Sequence, residues 1–300
     1  MFRKSGTGKW KTLPRQTFNQ QMSRHESSSP GQPGRLQIAQ NPLFLAEEIF
    51  APYHLPPRGE TSGWKLVISL SGAFEIQVGR RVNWVDPSRL LFIGPGREYA
   101  DQHVIPNVGH ASLVLTPGCE LLAELDSRAL EELADITRPC PLSLHLLCQR
   151  LRHAADALQL EELGVAIITA AVGSASSGFH CASNGLACVR RAKLLLHSRP
   201  TDRLGLNQVA AEVGVSPIYL TQAFKRAEGV SLSRYHRRLR LGLALSRLPD
   251  RDDITDLSLE LGFSSHSHFT AAFRAELAMT PSAYRSEIQQ GSRATAPWAY

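Results

Sequence analysis

One pattern is written twice between Leu206 and Tyr284, and it restricts the fold of this 300-residue chain more than any other feature. The first copy, residues 206 to 235, reads L-N-Q-V-A-A-E-V-G-V-S-P-I-Y-L-T-Q-A-F-K-R-A-E-G-V-S-L-S-R-Y. The second, residues 254 to 284, reads I-T-D-L-S-L-E-L-G-F-S-S-H-S-H-F-T-A-A-F-R-A-E-L-A-M-T-P-S-A-Y. Up to the glycine the copies align at an offset of 48, Glu212 with Glu260 and Gly214 with Gly262. Beyond it the offset is 49, Ser216 with Ser265 and Tyr235 with Tyr284, so the second turn has one extra residue. A repeat made only twice is a duplicated module, not a solenoid.

Each copy reads as helix, glycine turn, helix. Leu206, Val209, Ala210 and Val213 fall at i, i+3, i+4 and i+7, one apolar helical face. Gly214 is placed to end that helix in the left-handed conformation. Ser216 caps the next helix, with Pro217 in its first turn, where a missing N–H costs nothing. Leu220, Ala223 and Phe224 form the buried stripe. In the second copy Ile254, Leu257, Ser258 and Leu261 repeat the face, Gly262 stops it, and Ser264 or Ser265 caps. Phe269, Ala272 and Phe273 are then buried. This is the helix-turn-helix pattern. Between the copies, Ser231 to Leu248 contains no glycine-rich loop, which predicts one continuous helix joining the two units.

Charge says what such a module can approach. The chain is +6 overall, but unevenly so. Residues 1 to 40 carry seven Lys/Arg against one Glu; 41 to 185 carry ten against sixteen acids; 186 to 300 carry sixteen against ten. The repeat therefore lies in a basic module suited to phosphates, behind an acidic one that is not. Residues 1–40, rich in Ser, Gly, Gln and Pro, read as a disordered basic tail. From 41 to 118 the period changes to two. Lys65–Leu70, Phe74–Val78, Val82–Val85, Leu90–Ile93 and Ala111–Leu115 alternate between turn signals, which predicts an all-β sandwich or barrel. Residues 119 to 175 are helical in pattern, and the Ser/Gly-rich stretch near 173–185 reads as a linker.

At this point the residues resemble a family. A-x-x-V-G-V-S-P-x-Y-L-x-x-x-F-K-x-x-x-G (210 to 229), R-Y-H-R-R-L-R (234 to 240) and L-G-F-S-S-H-S-H-F-T-A-A-F-R-x-x-x-A-M-T-P-S-A-Y-R (261 to 285) resemble the AraC/XylS-type DNA-binding domain of bacterial transcription regulators. The resemblance covers roughly residues 187 to 288. Upstream it is weaker, and rests on turn-rich strands and on Gly94-Pro95-Gly96. It implies an α+β chain: an N-terminal β-barrel (cupin-like) sensor with helices over 41–175, a linker at 176–186, an all-α double helix-turn-helix domain at 187–288, and a tail at 289–300. The function it implies is sequence-specific, DNA-binding transcription regulation under a small-molecule effector or partner, as a homodimer that works with RNA polymerase. DNA contacts carry over to Ile218, Thr221, Gln222, Lys225 and Arg226 in the first unit. In the second they carry over to Ser265, His266, Ser267, His268, Thr270 and Arg274, and the linker helix offers Arg237, Arg238 and Arg240 to phosphates. Gln222 and Ala271 stand where an Arg is frequent in the family. Gln can still read adenine through two hydrogen bonds, whereas Ala can only touch a thymine methyl.

Other functions are less well served by the residues. A cupin enzyme needs His-x-His plus Glu and a later His; the strand-patterned segment 41–118 has only His54, His103 and His110, with no His-x-His. His266 and His268 point apart on a helix, so no metal and no cofactor is expected. Five scattered cysteines suit neither a disulfide framework nor a zinc knuckle. The chain has no 18-residue apolar run and no secretory h-region, so the expectation is cytoplasmic residence away from membranes. A nonspecific architectural DNA binder is the main alternative. For the effector, Trp64, Arg97 and Tyr99 are the candidate pocket residues, with Arg97 matched to an anion.

Overall fold

The computed structural model describes residues 33–173 and 187–294. The first 32 residues of the tail, the linker expected at 176–186 and residues 295–300 lie outside the described residues.

The N-terminal part is built on ten strands: β1 (Gly34–Gln40), β2 (Phe44–Ala51), β3 (Arg58–Glu60), β4 (Lys65–Ser71), β5 (Phe74–Val78), β6 (Arg81–Val85), β7 (Arg89–Ile93), β8 (Glu98–His103), β9 (His110–Pro117) and β10 (Thr137–Pro139). They form two antiparallel sheets, ordered β1-β2-β9-β4-β7-β10 and β3-β8-β5-β6. Among the described residues no ladder joins the two sheets, so of the expected sandwich or barrel the chain forms a pair of facing sheets with free edges. Period-two alternation buries both faces of the larger sheet. Val67, Leu91, Ile93 and Val114 meet the smaller sheet. Leu66, Phe92, Leu113 and Leu115 instead pack beneath helices.

Two boundaries differ from the sequence expectation. β1 lies within the segment expected to be tail, and pairs with β2 from Gly34↔Phe50 to Gln40↔Leu45. It is a polar edge strand, and only Gly34 and Ala39 in it are buried, so its apolar signal is thin. The final helix likewise continues through Ala294, past the expected end at 288.

The helices are α1 (Cys119–Glu124), α2 (Ser127–Leu133), α3 (Leu142–Arg152) and α4 (Ala157–Gly173), followed by α5 (Ala187–Ser198), α6 (Leu206–Val213), α7 (Pro217–Glu228), α8 (Leu232–Arg247), α9 (Ile254–Glu260), α10 (His266–Leu277) and α11 (Pro281–Ala294). Strand β10 interrupts the stretch expected to be wholly helical, because Pro139 and Pro141 cannot donate within a helix. The first helix-turn-helix unit, α6–α7, packs around Val209, Leu220, Phe224 and Tyr235. The second, α9–α10, packs around Leu257, Phe269, Phe273 and Tyr284. α8 runs unbroken between them and supplies Leu239 to one core and Leu241 and Leu245 to the other. Leu142 and Leu146 of α3 complete the second core, so the sheet-rich part is packed directly onto the helical one.

Candidate nucleic-acid interface

The turn chemistry sets the presentation of α7 and α10. Gly214 takes φ +78° and ends α6, and its N–H donates to the Ala210 carbonyl at 2.9 Å. Ser216 Oγ accepts from the Tyr219 N–H at 3.2 Å, which caps α7. In the second unit Gly262 takes φ +82°, and Ser265, not Ser264, is the cap, accepting from the His268 N–H at 3.1 Å. Each cap uses one of the N–H groups that a helix start leaves unpaired. α7 and α10 thereby point their first turns outward with apolar stripes buried and polar faces bare.

On α7, Ile218, Thr221, Gln222, Lys225 and Arg226 are all exposed, and Ile218 is 73% exposed. Among the described residues, a large β-branched side chain that open has nothing to pack on. On α10, Ser265, His266, Ser267, His268 and Arg274 are exposed and Thr270 half so. Several of these are tied locally: His266 Nε2 lies 3.3 Å from Thr270 Oγ1, and His268 Nδ1 lies 3.0 Å from Ser264 Oγ. Gln222 makes no such tie among the described contacts, so the first helix presents the freer polar head.

The linker-helix arginines are spent differently. Glu276 of α10 receives Arg234 at 3.0 Å and Arg238 at 2.9 Å, with Arg237 at 3.8 Å. Burial alone would raise the Glu276 pKa, but Arg234 and Arg238 hold it below its ordinary value. Arg240 donates to the carbonyls of Pro200 (3.1 Å), Gly262 (3.1 Å) and Asp202 (2.6 Å). Together with Arg203, which donates to the Phe263 carbonyl at 2.7 Å, it ties the second turn to the loop before the first unit. Arg238 and Arg240 thus fix the two units to each other.

A polar cluster that sequence reasoning missed grips the first unit from the sheet side. Asp86, fully buried in the β6–β7 turn, accepts from Trp84 Nε1, from the Tyr235 hydroxyl at 2.7 Å and from Lys193 at 3.1 Å. Burial pushes its pKa up, but Lys193 and His197 outweigh that and hold the carboxyl well below the usual range. Arg89 of β7 pairs with Glu228, the last residue of α7, at 2.8 Å, and Lys193 meets the same carboxylate at 3.1 Å. The Asp86, Arg89, Lys193 and Glu228 side chains are all under a tenth exposed. Removing one partner from such a buried pair costs on the order of 3–5 kcal/mol. A signal existed: Lys193 sits on the apolar stripe Val189, Ala192, Leu196 of α5, where a lysine needs a buried partner. α11, which follows the second unit, is held by Arg150 of α3 to Glu287, at 2.5 Å. The duplicated tyrosines have diverged accordingly: Tyr284 donates to the Leu245 carbonyl at 2.8 Å inside its own domain, whereas Tyr235 reaches across to Asp86.

Of the three candidate effector residues, only Tyr99 lines the space between the sheets. Trp64 packs against the core on the helix side. Arg97, about half exposed, pairs with Asp135 at 2.9 Å, so its charge is already answered. Among the described residues no group of three or more His, Cys, Asp or Glu is placed to hold a metal ion, and no helix is long and apolar enough to cross a membrane.

Comparison with known proteins falls on the same segment. A helix-turn-helix domain model matches residues 209–287. The regulatory protein PocR of Salmonella typhimurium is 32% identical over 105 residues, 35% of this chain and 35% of PocR. The HTH-type transcriptional activator AarP of Providencia stuartii is 33% identical over 86 residues, 28% of this chain and 64% of AarP. A solved AraC-type transcriptional regulator structure from Chromobacterium violaceum is 31% identical, covering 34% of this chain and 93% of that one at a TM-score of 0.32. The chain spans about a third of PocR and under two thirds of AarP.

Proposed function

We propose that this chain, which carries an AraC/XylS-type DNA-binding domain over residues 209–287, is a sequence-specific transcription regulator whose sheet-rich domain responds to a small molecule. The observation that carries this reading is the pair of capped helices, α7 and α10, with buried apolar stripes and bare polar faces, fixed to one continuous helix. Base readout falls to Ile218, Thr221 and Gln222 in the first unit and to His266, Ser267 and His268 in the second. Lys225, Arg226 and Arg274 take phosphates, together with the helix N-termini. The Asp86 and Arg89 pairings give the sheet domain a lever on α5, α7 and α8, and hence on the first recognition helix. The regulator acts as a homodimer at promoters in the cytoplasm, with RNA polymerase as its partner. Selection of duplexes from a random pool by the full chain tests the reading. A shared enriched motif supports it. Uniform recovery of all sequences would instead indicate an architectural binder.

A further inference from the structure

The two reading units share a helix but no core. Among the described residues, the buried cluster around α6 and α7 and the one around α9 and α10 have no member in common. Apolar packing of each unit onto α8 is non-directional, so it does not by itself set the angle between α7 and α10. A polar knot supplies that constraint. Arg240 of α8 donates through Nε to the Pro200 carbonyl at 3.1 Å and through Nη2 to the Asp202 carbonyl at 2.6 Å, both in the loop between α5 and α6. Through Nη1 it donates to the Gly262 carbonyl at 3.1 Å, in the turn of the second unit. Arg203, from the same loop, reaches the Phe263 carbonyl at 2.7 Å. His236 Nε2 lies 2.8 Å from the Pro200 carbonyl, and the Arg240 guanidinium sits over the Phe263 ring, 5.9 Å from its centroid. Gly262 leaves no room for a side chain against the Thr201 carbonyl, so loop and turn touch.

From this knot we infer that Arg240 is a positioning residue: it sets the separation of α7 and α10, and with it the base-pair spacing between the two grooves that the chain accepts. Three carbonyls from two segments surround one planar fork, and each receives a different nitrogen. A lysine keeps the charge but offers one ammonium, which cannot reach all three. Spacing matters because B-DNA is helical. One inserted base pair moves the second groove about 3.4 Å along the axis and about 34° around it. Two units locked together cannot follow both shifts, whereas two units hinged on α8 can. Base identity then falls to the exposed faces of α7 and α10, and spacing to a side chain engaged wholly within the protein.

The inference rests on the sequence-specific reading for its consequence, not for the knot itself. The test is fluorescence anisotropy of the full chain on a selected duplex, on the same duplex with one base pair inserted between the two grooves, and on versions with either groove scrambled. The unaltered chain is expected to lose at least tenfold on insertion. Arg240→Lys, and separately Arg203→Ala, each checked for retained fold by circular dichroism, are expected to lose less than threefold, with affinity for either scrambled duplex unchanged within twofold. A phosphate contact or a damaged unit would lower the scrambled-duplex affinities as well. An unaltered chain that tolerates the inserted pair, an insertion penalty undiminished in the folded variants, or scrambled-duplex affinities that fall with it would each overturn the inference. If selection returns no motif, the regulator reading fails, and the knot is read without DNA from distances between spin-labelled unnatural residues placed at Gln222 and Ala271. One narrow distribution that broadens in Arg240→Lys supports it; equal widths overturn it.

Discussion

Gln222 is the residue on which the two copies differ most in consequence. It is exposed on α7 with both amide groups available, whereas Ser267 on α10 offers one short hydroxyl. A bidentate amide on adenine is worth about 1–3 kcal/mol of discrimination. Gln222→Ala should therefore weaken specific binding tenfold or more, and Ser267→Ala by less, in fluorescence anisotropy on a selected duplex. Equal losses would place readout in both units alike. Asp101 makes a second prediction. Its folded carboxyl titrates near 8 against an ordinary 3.8, so the folded state holds a proton that the unfolded state releases between those values. Stability must then fall as pH rises through that window. His110 (about 3) and His236 (about 4), kept neutral by burial, oppose this below about 6.5, where stability falls with falling pH as they are forced to charge. Between about 6.5 and 8 Asp101 acts without them, facing His103, His110, Tyr99 and the more distant Lys65. Urea denaturation there should show a decline approaching 1.4 kcal/mol per pH unit that Asp101→Asn flattens. Parallel profiles would contradict it. None of this was readable from the chain. Asp101 sits in a strand of mixed residues, and its partners come from β9, which only register brings beside it.

Among the elements, the two glycine turns look alike in sequence and are unlike in space. Gly214 and Gly262 both take positive φ, near +78° and +82°. A side chain at Gly214 meets nothing within 4 Å, so Gly214→Ala should cost only the left-handed penalty of about 1–2 kcal/mol. At Gly262 it collides with the Thr201 carbonyl oxygen, a backbone atom that cannot swing aside. Gly262→Ala should lose at least about 2 kcal/mol more than Gly214→Ala in urea unfolding. Similar losses would mean that the loop before α6 yields freely. Periodicity and caps made α6 to α10 legible, because local spacing decides them. The strands β4, β5, β6, β7 and β9 were legible for the same reason. The edge strand β1 was not, since Arg35, Gln37 and Gln40 give it a solvent-facing composition. Nor was the open pairing of two sheets, since alternation alone does not say whether sheet edges meet.

For the whole molecule, the decisive contacts link residues far apart in sequence. Asp86 reads as an ordinary Asp-Pro-Ser turn, yet it meets Tyr235 and Lys193 in the interior, and Arg89 meets the end of α7. α3 lends Leu142 and Leu146 to the second unit. The sheet domain thus holds each unit by its buried side and leaves the polar faces of α7 and α10 bare. On the proposed function, one chain presents two reading helices on a single rigid support. Hydroxyl-radical footprinting with methylation interference, on a duplex selected by the full chain, tests it most directly. Interference is expected in two successive major grooves on one face, about 34 Å apart, with the stronger effects in one of them. Interference confined to a single groove, or protection spread evenly along the duplex, would contradict it.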